Sequence, residues 1–412
     1  MAEVKGHQPL TQLRVSLDFG EKVIPVGRLA SRDHRIYFEY FPEFVSLNLN
    51  ISPFRLPLEP GLKTFAPSLF EGLPGVFNDS LPDGWGRLLL DRLLKSQNIL
   101  PEAFSPLDRL AHVGRSGLGA LIYEPDRGQE GDEGHLDLDN LADHSRQLLE
   151  GDADEVLQEL LNLNGSSAGA RPKVLIGINP DSSDVIHGRH HLPEGFEYWI
   201  VKFANVNDGP DAGAIEYVFS LMAKEAGLNM MDTKLIPSGK GAGYFATKRF
   251  DRTRDKRLHM HTASGLLHSD FRTPSLDYEN LVELTEVLTR DVREAAQMYR
   301  LAVFNVLAHN RDDHGKNFSY LMDGEGNWRL APAYDLTFSS GPGGEQSTMV
   351  MGEGKNPQIT DLTRLADVAG ITSTRAREII DQVQSAVKRW PELAREYGVS
   401  KSNIGLIANR MK

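Results

Sequence analysis

From Leu13 the chain alternates, with Leu13, Val15, Leu17 and Phe19 apolar and the residues between them polar. A period of two turns one face of a strand to a core and the other to water. Gly20-Glu21 supplies a turn into a second strand over residues 23–29, and I-Y-F-E-Y-F at 36–41 predicts a third. Asp83 or Gly84 opens a helix that runs to about Lys95, and a shorter helix follows over 107–113, after Pro101 and Pro106. Residues 114–123 (G-R-S-G-L-G-A-L-I-Y) turn through glycines into an apolar strand. Residues 125–140 are acidic and glycine-rich and read as an exposed loop or linker.

Beyond it, 154–163 is helix-like, 173–178 and 196–203 are strand-like, and 181–194 reads as a long hairpin loop. A helix that starts at 213 and ends at Gly227 precedes strands over 234–237 and 243–250, with S-G-K-G-A-G as the turn between them. After residue 251 the pattern becomes helical, with helices over 277–288 and 291–307. A hairpin over 318–322 and 327–330 turns on D-G-E-G, then come a flexible loop at 339–344 and helices over 374–389 and 391–397. The class is α+β, with a β-rich N-terminal part and a mostly helical C-terminal part.

Composition narrows the function classes. A length of 412 residues predicts two or three domains, and 40% hydrophobic with 25% charged residues is ordinary for a globular protein. No run of about 18 apolar residues exists, so no membrane span is expected, and the N-terminal decapeptide has no signal-like apolar core. Zero cysteines exclude disulfides and thiolate metal sites, and a cytoplasmic protein is the expectation. The net charge of −12 argues against the whole chain acting as a non-specific nucleic-acid binder.

Candidate chemistry gathers between His309 and Asp335. Asp312 and Asn317 stand five apart, the offset of the H-R-D-x-x-x-x-N catalytic loop of protein kinases, and Asp312, His314 and Asn317 also fit the D-x-H-x-x-N of phosphatidylinositol kinases. Phosphoryl transfer needs a carboxylate for the attacking hydroxyl, and an amide oxygen with a second carboxylate for Mg²⁺; Asp312, Asn317 and Asp335 are that set. Upstream, small residues from Gly165 to Ala170 lead into a strand that begins at Lys173, which suits phosphate oxygens. Lys202 lies in the apolar part of the next strand, followed by Glu216 in a helix, and residues 248–250 stand where a kinase hinge meets adenine. The glycines of 114–119 lack a following G-K-[ST] and read as a tight turn, and His187, His190 and His191 as part of a solvated loop. A metal hydrolase built on Asp312, Asp313 and His314 is a rival, but it leaves Lys202, Asn317 and Asp335 unexplained.

These motifs carry a resemblance over nearly the full length. F-N-D-S-L-P-D-G-W-G (77–86), L-D-R-L-A-H-V-G-R-S-G-L-G-A-L (107–121), S-S-A-G-A-R-P-K (166–173), R-F-D-R (249–252), D-D-H-G-K-N-F-S (312–319) and A-P-A-Y-D-L (331–336) resemble the HipA family of serine/threonine kinase toxins from bacterial type II toxin–antitoxin systems. The resemblance implies a two-lobed, protein-kinase-like (phosphatidylinositol-kinase-like) fold. Its parts would be an N-terminal subdomain at 1–125, an acidic linker at 126–152, a kinase N-lobe at 153–252 and a helical C-lobe at 253–412.

It also implies roles. Asp312 would be the catalytic base, Asn317 and Asp335 the Mg²⁺ ligands, and Asp313 a solvated bystander. Ala168, Gly169, Ala170, Arg171, Lys173 and Lys202 would contact ATP phosphates, and Lys248, Arg249 and Phe250 the adenine. His314, Lys316 and Tyr334 belong to the same nucleotide set. Ser166, or its neighbour Ser167, would be autophosphorylated, silencing the kinase. Two departures stand out: A-R-P-K where the best-known members have A-Q-E-K, and Lys248 in place of an acid. Implied partners are a helix-turn-helix antitoxin of HipB type, operator DNA only through that antitoxin, and a protein substrate such as an aminoacyl-tRNA synthetase. The alternative is a catalytically weak kinase-fold protein that serves mainly as an antitoxin-binding corepressor.

Overall fold

The N-terminal alternation folds as the strand Gln12–Asp18, with Leu13, Val15 and Leu17 buried. In the computed structural model, which describes residues 7–128, 134–151, 156–164, 169–188, 191–273 and 275–411, it belongs to a five-stranded sheet. The order across that sheet is Lys63–Thr64, Arg35–Tyr40, Val23–Arg32, Gln12–Asp18, Leu121–Glu124, antiparallel throughout. Register slips between Val15 and Ser16, which face Gly27 and Pro25, so Val26 is the extra residue of a bulge.

The chain forms two units. The first comprises Met1–Asn207, Asp251–His261 and Met322–Gly326; the second comprises Asp208–Phe250, Thr262–Leu321 and Asn327–Lys412.

In the first unit, the helix Gly84–Ser96 buries Trp85, Leu89, Leu90 and Leu94. The helix Pro106–Val113 starts with a capping box: Ser105 Oγ accepts from the Asp108 amide, and Asp108 accepts from the Ser105 amide. The glycine-rich turn after it is structural. Gly119 N donates to Asp251 at 2.7 Å, Gly119 O accepts from Arg257 Nη2 at 2.8 Å, and Gly117 O accepts from Arg252 at 3.0 Å. A polar relay lies elsewhere in this unit: Asp79 Oδ2 to His261 Nδ1 at 2.6 Å, and His261 Nε2 to Ser52 Oγ at 3.0 Å. It has the bonding order of a hydrolase triad, but Ser52 is 1% exposed and out of reach of a substrate, so the relay acts as a pin.

Residues 138–150 differ from the expected linker. They form the helix Leu138–Glu150, capped by Asp137 and burying Leu138, Leu141, Ser145 and Leu148. The i, i+3, i+7, i+10 spacing of those four outweighs the acidic composition around them. The expected hairpin loop at 181–194 contains the strand Val185–His187, paired antiparallel with Lys173–Ile178, which also pairs with Glu197–Lys202. His190 lies outside the described residues.

The second unit is mostly helical. Its core joins the helices Ala212–Glu225, Tyr278–Thr289, Val292–Leu307, Ile359–Val368, Ser373–Val387 and Trp390–Glu396. Phe219 meets Phe304 and Trp390 edge-on. Strands Thr233–Ile236 and Tyr244–Lys248 pair antiparallel. The helical expectation after 251 missed the strand His259–Thr262, whose four residues are too few to show a period. Among the described residues no helix is long and apolar enough to cross a membrane.

Asp211 fastens the last helix, Lys401–Ala408, to this core: it accepts from the Ser400 amide at 2.8 Å and from Asn403 Nδ2 at 2.9 Å. Burial pushes this carboxyl up, but the bonds from Ser400 and Asn403 outweigh it and hold the group below its usual range. A depressed carboxyl stabilises the fold above its unfolded pKa and loses that contribution as pH falls through the folded value. Asp211→Ala is therefore expected to lower stability by about 1–3 kcal/mol at pH 7. Its unfolding free energy should depend less on pH below about 4, read from denaturant melts across pH.

Candidate functional site

The helix Val292–Leu307 delivers the chain into His309, which is left-handed at φ 58° and stacks on Phe338 with ring centroids 5.5 Å apart. The next residues are pinned from several sides. Asn310 donates to Asn305 at 3.0 Å, and its carbonyl accepts from Gln346 at 3.2 Å. Arg311 donates to the carbonyls of Gly344 and Lys355, and its own carbonyl accepts from Ser347 Oγ at 2.9 Å.

Asp313 is no solvated bystander. It is 1% exposed, and its carboxylate accepts from Tyr278 Oη (2.8 Å), Gln346 Nε2 (2.9 Å), Ser347 N (2.8 Å) and Thr348 N (3.3 Å). Asn305 donates in turn to the Tyr278 hydroxyl at 2.9 Å. The expectation failed because its neighbour Asp312 drew the chemistry, while the donors come from positions 33 to 35 residues downstream and 35 upstream. Burial pushes the Asp313 carboxyl up to about 6, against the opposing pull of those hydrogen bonds.

With Asp313 turned inward, Asp312 faces out, its side chain 58% exposed and 3.9 Å from His314 Nε2. Asn317 Nδ2 donates to the Asp312 carbonyl at 2.7 Å, which fixes the amide and makes Oδ1 the atom that could take a metal. Asp335 follows the hairpin of Ser319–Met322 and Trp328–Leu330 and is left-handed at φ 55°. An amide oxygen and a carboxylate are hard donors of the kind Mg²⁺ takes, so Asn317 and Asp335 fit that ion.

Two aromatic residues organise the surroundings. Phe271, absent from the sequence-derived set, has Lys316 Nζ 4.6 Å and the Arg272 guanidinium 4.6 Å from its ring centre, with the His314 ring at 5.3 Å. Tyr334 donates to the Lys316 carbonyl at 2.5 Å, pairs with Ser319 Oγ at 2.7 Å and meets the Phe250 ring at 5.4 Å. Tyr334 thus links the expected hinge to the expected catalytic loop. In the expected hinge, Lys248 N donates to Asp232 O at 2.9 Å and Arg249 is buried. Glu216 is buried in the helix Ala212–Glu225.

The phosphate-binding candidates lie in the first unit. Ser166, Ser167 and Ala168 fall outside the described residues. Lys173 and Lys202 are direct cross-strand partners, so two ammonium-bearing chains start from facing positions. Ala170 is exposed and Arg171 half-buried. Pro172 uses the one backbone group it retains, its carbonyl accepting from Phe203 N at 2.8 Å.

For the hydrolase reading, Asp313 is already spent on four donors, and among the described residues no three of His, Asp and Glu gather as a metal set. Removing the Asp313 carboxylate in Asp313→Ala would leave those buried donors without an acceptor and should cost about 3 kcal/mol or more in a denaturant melt. A carboxyl raised to about 6 binds its proton more tightly in the folded chain than in the unfolded one. Its stabilising contribution is full below the unfolded value, about 4, and is lost as pH rises towards 6. Asp313→Asn should abolish that slope.

Comparison with known proteins gives the family and the fold. Residues 165–390 match the family described as HipA-like C-terminal domain, and residues 21–124 match HipA N-terminal domain. Y4mE of Sinorhizobium fredii (strain NBRC 101917 / NGR234), whose name proposes a kinase, is 26% identical over 192 residues. That stretch is 42% of this chain and 46% of the relative, so the match spans about half of the relative's length. Among solved structures, HipA of Shewanella oneidensis MR-1, in a complex with HipB and operator DNA, superposes with a TM-score of 0.68 at 17% identity. The superposition covers 97% of this chain and 94% of that one, and it shows a shared fold. With more than half of its length matched by the C-terminal model and a further 104 residues by the N-terminal one, the chain belongs to the HipA family.

Proposed function

We propose that the chain is an ATP- and Mg²⁺-dependent serine/threonine protein kinase, the toxin of a toxin–antitoxin pair. The observation that carries this is the loop 312–317, in which Asp312 projects to solvent while Asn317 is locked onto its backbone carbonyl. An exposed carboxylate can accept a proton from an incoming serine or threonine hydroxyl, and burial of Asp313 holds its backbone still. Asn317 and Asp335 would hold Mg²⁺, which when bound offsets the charge of the nucleotide phosphates. Lys173 and Lys202 would meet those phosphates as point charges. Phe250 and its neighbours Lys248 and Arg249 would meet the base.

A helix-turn-helix antitoxin of HipB type is the proposed partner, with operator DNA reached through it, since the chain itself carries a net charge of −12. An aminoacyl-tRNA synthetase is the proposed kind of substrate, and inhibition of translation the outcome. Phosphate on Ser166 or Ser167 would set nearly two negative charges in the segment that leads to Lys173, opposing nucleotide phosphates there.

The test is incubation of the purified chain with labelled ATP and Mg²⁺, followed by mapping of the label. Label is expected on Ser166 or Ser167, with Asp312→Ala lowering the rate by about 10²–10⁴-fold. Asp335→Ala is expected to abolish transfer. ATP binding without label on the chain or on any extract protein would instead support the antitoxin-binding corepressor.

A further inference from the structure

We propose that Asp83, Gly84 and Trp85 position the phosphate loop by gripping Gly169, so that the N-terminal helix they open sets the affinity for ATP. The inference rests on the kinase reading above.

Asp83 is the N-cap of the helix Gly84–Ser96, yet its side chain makes no capping bond. An N-cap aspartate ordinarily accepts from the second or third amide of its own helix. Here Oδ1 accepts from Gly169 N at 2.5 Å, and Trp85 N donates to Gly169 O at 2.9 Å. The Trp85 amide is one of those a helix cannot satisfy internally, so the helix gives up nothing to make this bond. Asp83 and Trp85, on either side of Gly84, therefore hold both polar groups of Gly169, which fixes its orientation as a single bond would not.

Gly84 is required by distance to backbone, and Gly169 by its backbone angle. A Cβ on Gly84, at φ +45°, would lie 2.4 Å from Gly169 O, and a Cβ on Gly169, at φ +105°, would lie 2.5 Å from Lys173 Nζ. The Lys173 ammonium thus rests against the gripped residue. A carboxylate has the wrong charge to touch a phosphate, so Asp83 is a positioning residue that acts on the loop and on Lys173 beyond it.

The full chain with Mg²⁺ and ATP is the system to measure. Loss of one charge-assisted hydrogen bond in Asp83→Ala is expected to raise KM for ATP about tenfold with kcat within about twofold. Asp83→Asn keeps an acceptor oxygen and should recover most of that loss. Gly84→Ala, which drives a methyl into Gly169, should raise KM as Asp83→Ala does, and carries the test if Asp83→Ala fails to fold. Amide hydrogen exchange at Gly169, measured without nucleotide, should quicken in Asp83→Ala. This readout judges the grip even if wild-type chain turns over no ATP, the result that would sink the kinase reading. Unchanged exchange and KM in Asp83→Ala, or a fall in kcat alone, would overturn the proposal.

Discussion

The buried carboxylate of Asp313 is the constraint on which the second unit's polar loop depends. A charge removed from water must be met by donors, or the fold carries a large penalty. The donors for Asp313 come from the helix Tyr278–Thr289 and from residues 346–348. Gathering them fixes where the chain before and after Asp313 can run. It also bears on His309, a non-glycine residue that stays left-handed next to Asn310, whose carbonyl the same Gln346 holds: such conformations persist only where the surroundings over-determine them. The exposure of Asp312 follows from the burial of its neighbour.

The first unit uses a different device, arginine against backbone. Arg252 and Arg257 bind the carbonyls of Gly117 and Gly119, and Arg109 donates to both carboxylate oxygens of Glu71, at 2.7 and 2.8 Å. In Arg257 two nitrogens of the planar guanidinium, Nε and Nη2, reach the Gly119 carbonyl together, where a lysine would offer one charge without fixed direction. These bonds tie residues 251–257, which follow a stretch of the other unit, back to the strand edge at Leu121–Glu124.

Much of this was legible in the sequence because period and punctuation agreed. The alternation from Leu13 to Leu17, the start of a helix at Gly84 and the strand Lys173–Ile178 are all where pattern placed them. The helix Leu138–Glu150 was hidden by acidic composition, and the strand His259–Thr262 by brevity. Of the candidate site, Asp312, Asn317 and Asp335 stood out as a spaced set of the right residue types. Asp313, Gln346 and Phe271 did not, because their importance lies in partners far along the chain, and charge alone cannot tell an inward carboxylate from an outward one. The Gly169 grip was hidden for the same reason: 86 residues separate it from Asp83.

The left-handed backbone at Asp335 has a consequence for how this protein can change over generations. Asparagine is nearly as comfortable at positive φ as aspartate, and the two have almost the same shape. The two residues also differ by a single base in their codons. One point mutation can therefore erase the charge at this position while leaving the backbone conformation unstrained. A lineage that gave up the kinase activity proposed above would need only that one substitution at this position. Most other replacements there would have to strain the backbone as well.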